Sequence, residues 1–318
     1  MRIVFMGTPE FAVASLKILF DHDFEIAGVI TAPDKPAGRG RKVQQSAVKE
    51  FATAHNIPVL QPVNLKDPLF IADLTALKPD LQVVVAFRML PEVVFSIPPL
   101  GTFNLHGSLL PQYRGAAPIN WAVMNGEAET GVTTFFLNNE IDKGAILFSA
   151  KLSIGESETA GELHDRMMAL GAEQVLKTAI AIESHTASAA TALVQPIQAD
   201  LKPAPKLFKA DCEIDWTQNV ETIYNKIRGL SPYPTSFTTI KGLVLKVFSA
   251  ELIGDSDADE LLKLEIQALN YQPGEVLSDG KTFLLFRAAD GFLKLTDIQL
   301  ENKKRMSTGD LLRGFSIK

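Results

Sequence analysis

The sequence predicts an α/β unit built on a parallel sheet, followed by a smaller antiparallel β unit. Three observations carry that expectation. The chain has 318 residues, beyond the usual length of one domain, so two separate cores are the natural solution. Its first half alternates short apolar runs with helical periodicities, as a parallel sheet wrapped by helices requires. Its last third instead carries recurring turn dipeptides between β-branched and aromatic residues.

Taken in order, strands are expected over residues 3–6, 25–31, 59–60, 81–86 and 101–104, each rich in Val, Ile or Phe and bounded by polar or Pro/Gly stretches. Helices are expected between them over 11–20, 46–55 and 66–77, which makes the pattern Rossmann-like. A long helix should start at Thr159, because Thr159 and Glu162 have the spacing of a capping box and Leu163, Met167, Leu170 and Leu176 fall near one face. Residues 186–205 are rich in Ala, Ser, Thr and Pro without sustained periodicity, the composition of a connection. Beyond it, Val220, Ile223, Tyr224 and Ile227 predict one amphipathic helix ending near Gly229. Lys241-Gly242, Asp279-Gly280 and Asp290-Gly291 then mark hairpins of a small barrel, and five strands of the OB type are the expected arrangement. The division is therefore 1–187, a connection over 188–205, and 206–318.

Composition narrows the function classes. The chain is 46% hydrophobic and 21% charged, in the globular range, and no apolar run approaches the roughly 18 residues that span a membrane. The first residues enter an apolar strand directly, without the basic lead of a secretory signal. The single cysteine, Cys212, cannot form an internal disulfide, and a reducing cytoplasmic location is expected. A formal charge of −6 disfavours strong non-specific attraction to phosphates, though a local basic patch can act against that average.

Several chemistries lack their residues. Gly7-Thr8-Pro9-Glu10 follows the first strand without the later glycines that admit a dinucleotide pyrophosphate. There is no Walker loop, and none of His22, His55, His106, His164 and His185 stands in a His-Glu-x-x-His pattern or beside a second cysteine. No nucleotide cofactor and no metal are expected.

The informative stretch is residues 104–118, Asn-Leu-His-Gly-Ser-Leu-Leu-Pro-Gln-Tyr-Arg-Gly-Ala-Ala-Pro. It leaves the carboxyl end of an expected strand, where open α/β sheets place their ligands. Alternation puts Asn104 and His106 on one side, an amide donor beside an imidazole that can hold or release a proton near neutral pH. Downstream, Asn138-Asn139-Glu140-Ile141-Asp142-Lys143-Gly144 offers a carboxylate before a glycine turn, a pattern also common in turns without any catalytic role.

Asn104, the stretch His106–Pro111 and Asp142 resemble the catalytic triad and folate loop of enzymes that move a formyl group from 10-formyltetrahydrofolate onto an amine. Residues 6–11, 34–42, 113–119 and 303–307 resemble the methionyl-tRNA formyltransferase family more narrowly, and the likeness runs from about Arg2 to Leu312. It implies a Rossmann-like formyltransferase domain, a tRNA-binding C-terminal barrel, 10-formyltetrahydrofolate as co-substrate and initiator methionyl-tRNA as partner, with no membrane association and a monomeric chain. It implies catalysis by Asn104 and His106 as donors to the developing oxyanion and by Asp142 as proton acceptor or orienting group. It also implies folate contacts from Ser108, Leu109, Leu110 and Pro111. The family's Tyr-Gly-containing segment before a Leu-Pro is replaced by Val85-Ala86-Phe87-Arg88-Met89-Leu90-Pro91, one residue shorter, so Phe87, Arg88, Met89 and Leu90 stand where related enzymes line the pterin pocket.

On the RNA side, Arg39, Arg41 and Lys42 form a glycine-punctuated basic loop, and the family's corresponding loop enters the acceptor end of initiator tRNA. Lys206, Lys209, Lys303 and Lys304 are the candidates in the C-terminal part. Three rival readings fit less well: an amino-sugar nucleotide formyltransferase, whose family usually lacks the 37–40 loop; a 10-formyltetrahydrofolate hydrolase or dehydrogenase module, the dehydrogenase normally being longer; and a non-catalytic RNA-binding or structural protein that kept the fold, which the presence of Asn104, His106 and Asp142 disfavours.

Overall fold

A computed structural model describes residues 1–37, 42–196, 199–253 and 271–317. The chain divides into two compact units. Unit 1 is Met1–Pro118, Glu129–Ser153 and His164–Pro205, and unit 2 is Ile119–Ala128, Ile154–Leu163 and Lys206–Lys318.

The chain runs β1 (Arg2–Gly7), α1 (Glu10–Asp21), β2 (Glu25–Ile30), β3 (Lys35–Ala37), β4 (Lys42–Gln44), α2 (Ala47–Ala54), β5 (Val59–Leu60), α3 (Pro68–Ala76), β6 (Leu81–Val85), α4 (Glu92–Phe95), β7 (Thr102–His106), α5 (Pro118–Met124), β8 (Glu129–Phe136), β9 (Ile146–Ser153) and α6 (Ala160–Glu183). Unit 1 is built on a seven-stranded sheet of order β5-β2-β1-β6-β7-β8-β9. It is parallel from β5 to β7 and antiparallel for the last two pairings.

Ile3, Val4, Phe5 and Met6 of β1 are all fully buried. A strand covered on both faces reads as a continuous apolar run, which is why it is legible without alternation. Gly7 ends it for a packing reason: a Cβ there would stand 2.6 Å from the Ala12 Cβ and 2.9 Å from the Val85 carbonyl oxygen. Ser46 caps α2 by accepting the Lys49 N–H, and Asp67 caps α3 by accepting from Leu69, with Pro68 in the first turn. The box at α6 is reciprocal: the Thr159 N–H donates to the Glu162 carboxylate at 2.8 Å and the Glu162 N–H to the Thr159 hydroxyl at 3.3 Å.

β7 differs from expectation. It runs on to His106 because Leu105 pairs with Val85 of β6 on one side, while His106 pairs with Thr133 of β8 on the other. Hydrogen bonding on both edges carries the strand past the point where its apolar pattern fades.

Unit 2 contains α7 (Val220–Leu230), β10 (Ser236–Ile240), β11 (Leu243–Leu252), β12 (Val276–Leu277), β13 (Leu285–Arg287), β14 (Phe292–Leu300), β15 (Met306–Ser307) and α8 (Thr308–Leu312). Its antiparallel sheet has six strands among the described residues, in the order β10-β11-β14-β13-β12 with β15 on β14, one more than the five expected. Lys241 and Gly242 both have positive φ, 50° and 76°, which a two-residue hairpin needs to match strand twist. Register shifts between Val247 and Ala250 interrupt the β11–β14 ladder, and such bulges bend a sheet around its own core. That core centres on Trp216, Ile227, Leu245, Phe286 and Leu295. The indole of Trp216 stacks on Phe286 with centroids 4.6 Å apart and donates to the Thr238 hydroxyl at 2.9 Å.

Candidate active site

β6 and β7 are adjacent parallel strands, so the segments after Val85 and after His106 leave the sheet at the same rim. Asn104, half-buried, and His106, buried, lie two residues apart on β7 and face the same side.

The His106 Nε2 lies 2.8 Å from the Tyr113 carbonyl oxygen. A carbonyl only accepts, so Nε2 carries the proton and the bond fixes the ring's orientation. Nδ1 then faces the Asp142 carboxylate, with Oδ2 3.8 Å away. The same Oδ2 accepts the Gly115 N–H at 2.9 Å, which helps fix the carboxylate. An amide, an imidazole nitrogen and a carboxylate are thus grouped at one rim of the sheet.

Both flanking loops hold unusual backbone. Tyr113 and Asp142 have φ of 58° and 54°, a left-handed conformation uncommon outside glycine and sustained by surrounding structure. The Asp142 loop is drawn tight by Gly144, where a Cβ would fall 1.6 Å from the Phe136 carbonyl oxygen. Asp142 is therefore a turn residue as well as the carboxylate that faces His106.

The loop 108–111 is shaped from beneath. Thr133 donates its hydroxyl to the Ser108 carbonyl at 2.7 Å and accepts the Leu110 N–H at 3.1 Å, while the Ser108 hydroxyl donates to the Gln112 carbonyl at 2.6 Å. Leu110 and Pro111 are buried and Leu109 is half-buried. The Leu109 side chain lies over Gly131, where a Cβ would come within 2.6 Å of its Cδ2.

The segment after β6 divides its side chains. Leu90 is buried with Phe70 and Val94, and Phe87 packs partly against the same cluster. Arg88 braces the neighbouring loop by donating to the carbonyls of Val63, at 2.8 Å, and Pro62. Met89 is exposed.

The basic candidates fall in separate places. Arg39 and Arg41 lie outside the described residues, and only the backbone of Lys42 is described, in β4 opposite Ala37. In unit 2, Lys206 and Lys209 are exposed, with Nζ 5.6 Å from the Phe208 ring and 5.9 Å from the Phe237 ring respectively. Lys303 and Lys304 are exposed on the turn after β14, beside an Arg305 bound to Asp297. No helix among the described residues is long and apolar enough to cross a membrane, and these residues contain no group of three or more side chains placed to hold a metal.

Sequence reasoning missed three participants: the Tyr113 carbonyl, Thr133 and Gln195. A backbone carbonyl has no residue signature, and Thr133 reads as an ordinary β-branched strand residue. Gln195 lies in the aperiodic stretch expected only as a connection. It is nonetheless buried, and its side-chain amide donates to the carbonyls of Asp142 and Gly144, both at 2.8 Å.

Comparison with known proteins identifies the family. The formyl transferase family model matches residues 1–180, and the model of the formyl transferase C-terminal domain matches residues 206–316. A methionyl-tRNA formyltransferase of Bacteroides fragilis is 48% identical, over 100% of this chain and 96% of the relative. That of Flavobacterium johnsoniae is also 48% identical, over 100% and 97%. Among solved structures, WlaRD, a sugar 3N-formyl transferase, superposes with a TM-score of 0.66 at 20% identity, covering 96% of this chain and 99% of that one. HypX from Aquifex aeolicus in complex with tetrahydrofolic acid gives 0.63 at 19% identity, covering 98% and 47%. At those identities the two structures speak to the fold alone. With one family model over more than half of its length and near-half identity to full-length relatives, the chain belongs to the methionyl-tRNA formyltransferase family.

Proposed function

We propose that this protein transfers the formyl group of 10-formyltetrahydrofolate to the α-amino group of methionyl initiator tRNA, with Asn104, His106 and Asp142 around the reacting carbon. The observation that carries the assignment of roles is the facing of His106 Nδ1 and the Asp142 carboxylate at 3.8 Å, beside Asn104. A neutral amine needs no covalent help from the enzyme. Its nitrogen bonds to the formyl carbon, the carbonyl pair moves onto oxygen, and the bond to the folate N10 breaks as the carbonyl re-forms. The proton lost by the amine ends on N10, so the exchange is balanced. Asn104 donates to the oxygen as charge develops, where a positioned donor has its greatest effect. His106, with Nε2–H held by Tyr113, presents Nδ1 to the reacting groups, and Asp142 accepts or relays the amine proton.

Residues 108–111 and 87–90 form the folate side in this reading, through loop shape for Ser108, Leu109, Leu110 and Pro111 and through the shortened segment for Phe87, Arg88, Met89 and Leu90. In this reading unit 1, which runs on through His164–Pro205 and so takes in the expected connection, carries catalysis, and unit 2, with Lys206–Lys318, binds RNA, in a monomeric cytosolic enzyme. Arg39, Arg41, Lys42, Lys206, Lys209, Lys303 and Lys304 bind the tRNA backbone. The test is incubation with 10-formyltetrahydrofolate and methionyl initiator tRNA, with elongator methionyl-tRNA and an amino-sugar nucleotide as controls. Formylation of the initiator alone is expected, and preferential formylation of the sugar nucleotide would overturn the assignment.

A further inference from the structure

Residues 193–196 and 199–204 do more than connect. Leu193 exchanges hydrogen bonds with Ile146 at 2.7 and 2.8 Å, next to the Asp142 loop. Further along, the Lys202 carbonyl accepts the Tyr113 N–H at 2.7 Å and the Ala204 N–H donates to the Arg114 carbonyl at 2.8 Å. Gly115 lies so close to Ala204 that a Cβ would stand 2.3 Å from the Ala204 carbonyl oxygen. The segment's described residues on either side strap the two loops that carry the candidate site, Leu193 beside the Asp142 loop and Lys202 and Ala204 along the Tyr113–Gly115 loop.

Gln195 is its buried centre. Its Nε2 donates to the Asp142 and Gly144 carbonyls, and its Oε1 accepts from Arg114 Nε at 3.1 Å and Nη2 at 2.6 Å. Arg114 Nε also reaches the Asp142 carbonyl at 3.1 Å. The donor and acceptor ends of the amide are both engaged, and the Asp142 carbonyl receives two donors. These bonds grip the peptide of a residue held at φ 54°, and a rotation of that peptide would swing its carboxylate away from His106.

We propose that Gln195 is a positioning residue for formyl transfer, acting through the backbone of Asp142 to hold its carboxylate opposite His106 Nδ1. The proposal rests on the reading of Asp142 as part of the transfer site. The arrangement is specific to an amide. A methionine has the same length without the hydrogen bonds, and a glutamate keeps an acceptor for Arg114 while setting an oxygen against two carbonyl oxygens.

The test measures kcat, both KM values and the thermal midpoint for full-length Gln195→Met and Gln195→Glu, in the wild-type and Asp142→Ala backgrounds, with single-turnover assays where rates are low. Both substitutions should lower kcat by about ten- to hundredfold, the scale of a small misplacement of a reacting group. Each KM should stay within about twofold, as expected when only transition-state interactions are lost. On the Asp142→Ala background the further loss should shrink to less than about threefold, because residues acting as one unit are not additive. If Gln195→Met does not fold, Gln195→Glu decides by the same criteria. Wild-type kcat in a folded variant, or the same fold loss in both backgrounds, would overturn the proposal. Wild-type turnover of Asp142→Ala with Gln195 intact would instead overturn the underlying reading, and the proposal with it.

Discussion

The imidazole of His106 is anchored by the main chain of Tyr113, whose carbonyl accepts Nε2–H at 2.8 Å, seven residues further along the same loop. That bond leaves Nδ1, the ring nitrogen turned toward Asp142, as the one the loop backbone does not engage. A backbone group of the loop sets the chemistry of the side chain at its start.

Asn104→Ala should lower turnover by about 10²–10³-fold, the usual cost of one oxyanion donor. His106→Ala and Asp142→Ala should lose a comparable factor, within the 10²–10⁴-fold range of acid–base groups. Single-turnover formylation, paired with urea unfolding, separates these losses from misfolding. An Asn104→Ala protein with normal turnover would remove its assigned role.

Gly144→Ala should destabilise unit 1 by about 3 kcal/mol or more, since the added methyl collides with backbone and not with a yielding side chain. Urea midpoints report the loss. A wild-type midpoint would mean that the loop can move away from Phe136, and turnover should then fall because Asp142 moves with it.

Asp279 provides a pH test in unit 2. Burial pushes its carboxyl up, but hydrogen bonds from the Thr282 hydroxyl and from the N–H groups of Thr282, Lys281 and Phe283 outweigh it and hold the carboxyl well below the usual range. A depressed folded-state pKa contributes stability that is present above the unfolded value of about 3.9 and is lost as pH falls through the folded value. Asp279→Asn should therefore be less stable than wild type at pH 6, with the difference shrinking steadily below about pH 4. Denaturant midpoints from pH 6 to pH 2 would show a constant difference if those hydrogen bonds do not favour the ionised form.

For the RNA side, removing Lys206, Lys209, Lys303 or Lys304 singly should weaken initiator tRNA binding at low salt and reduce the log–log salt slope by about one per phosphate contact. Folate affinity should stay level. Filter binding over a salt series reads both, and an unchanged slope counts against the residue substituted.

Much of this protein is written locally. Strands β1, β2, β5 and β6 and helices α1 to α3 follow from apolar runs, helical spacing and capping residues such as Ser46 and Asp67, all of which act within a few residues of themselves. The candidates Asn104, His106 and Asp142 are legible because two lie two residues apart at the carboxyl end of one strand and the third belongs to a recognisable motif. Other features were decided at long range. β7 reaches His106 because two neighbouring strands pair with it, and Asp142 is held by a glutamine 53 residues away. The strap over the site is made largely of backbone hydrogen bonds and close approaches, which any residue can supply. Such interactions leave almost no pattern in the sequence, and they exist only once the sheet has brought the two loops together.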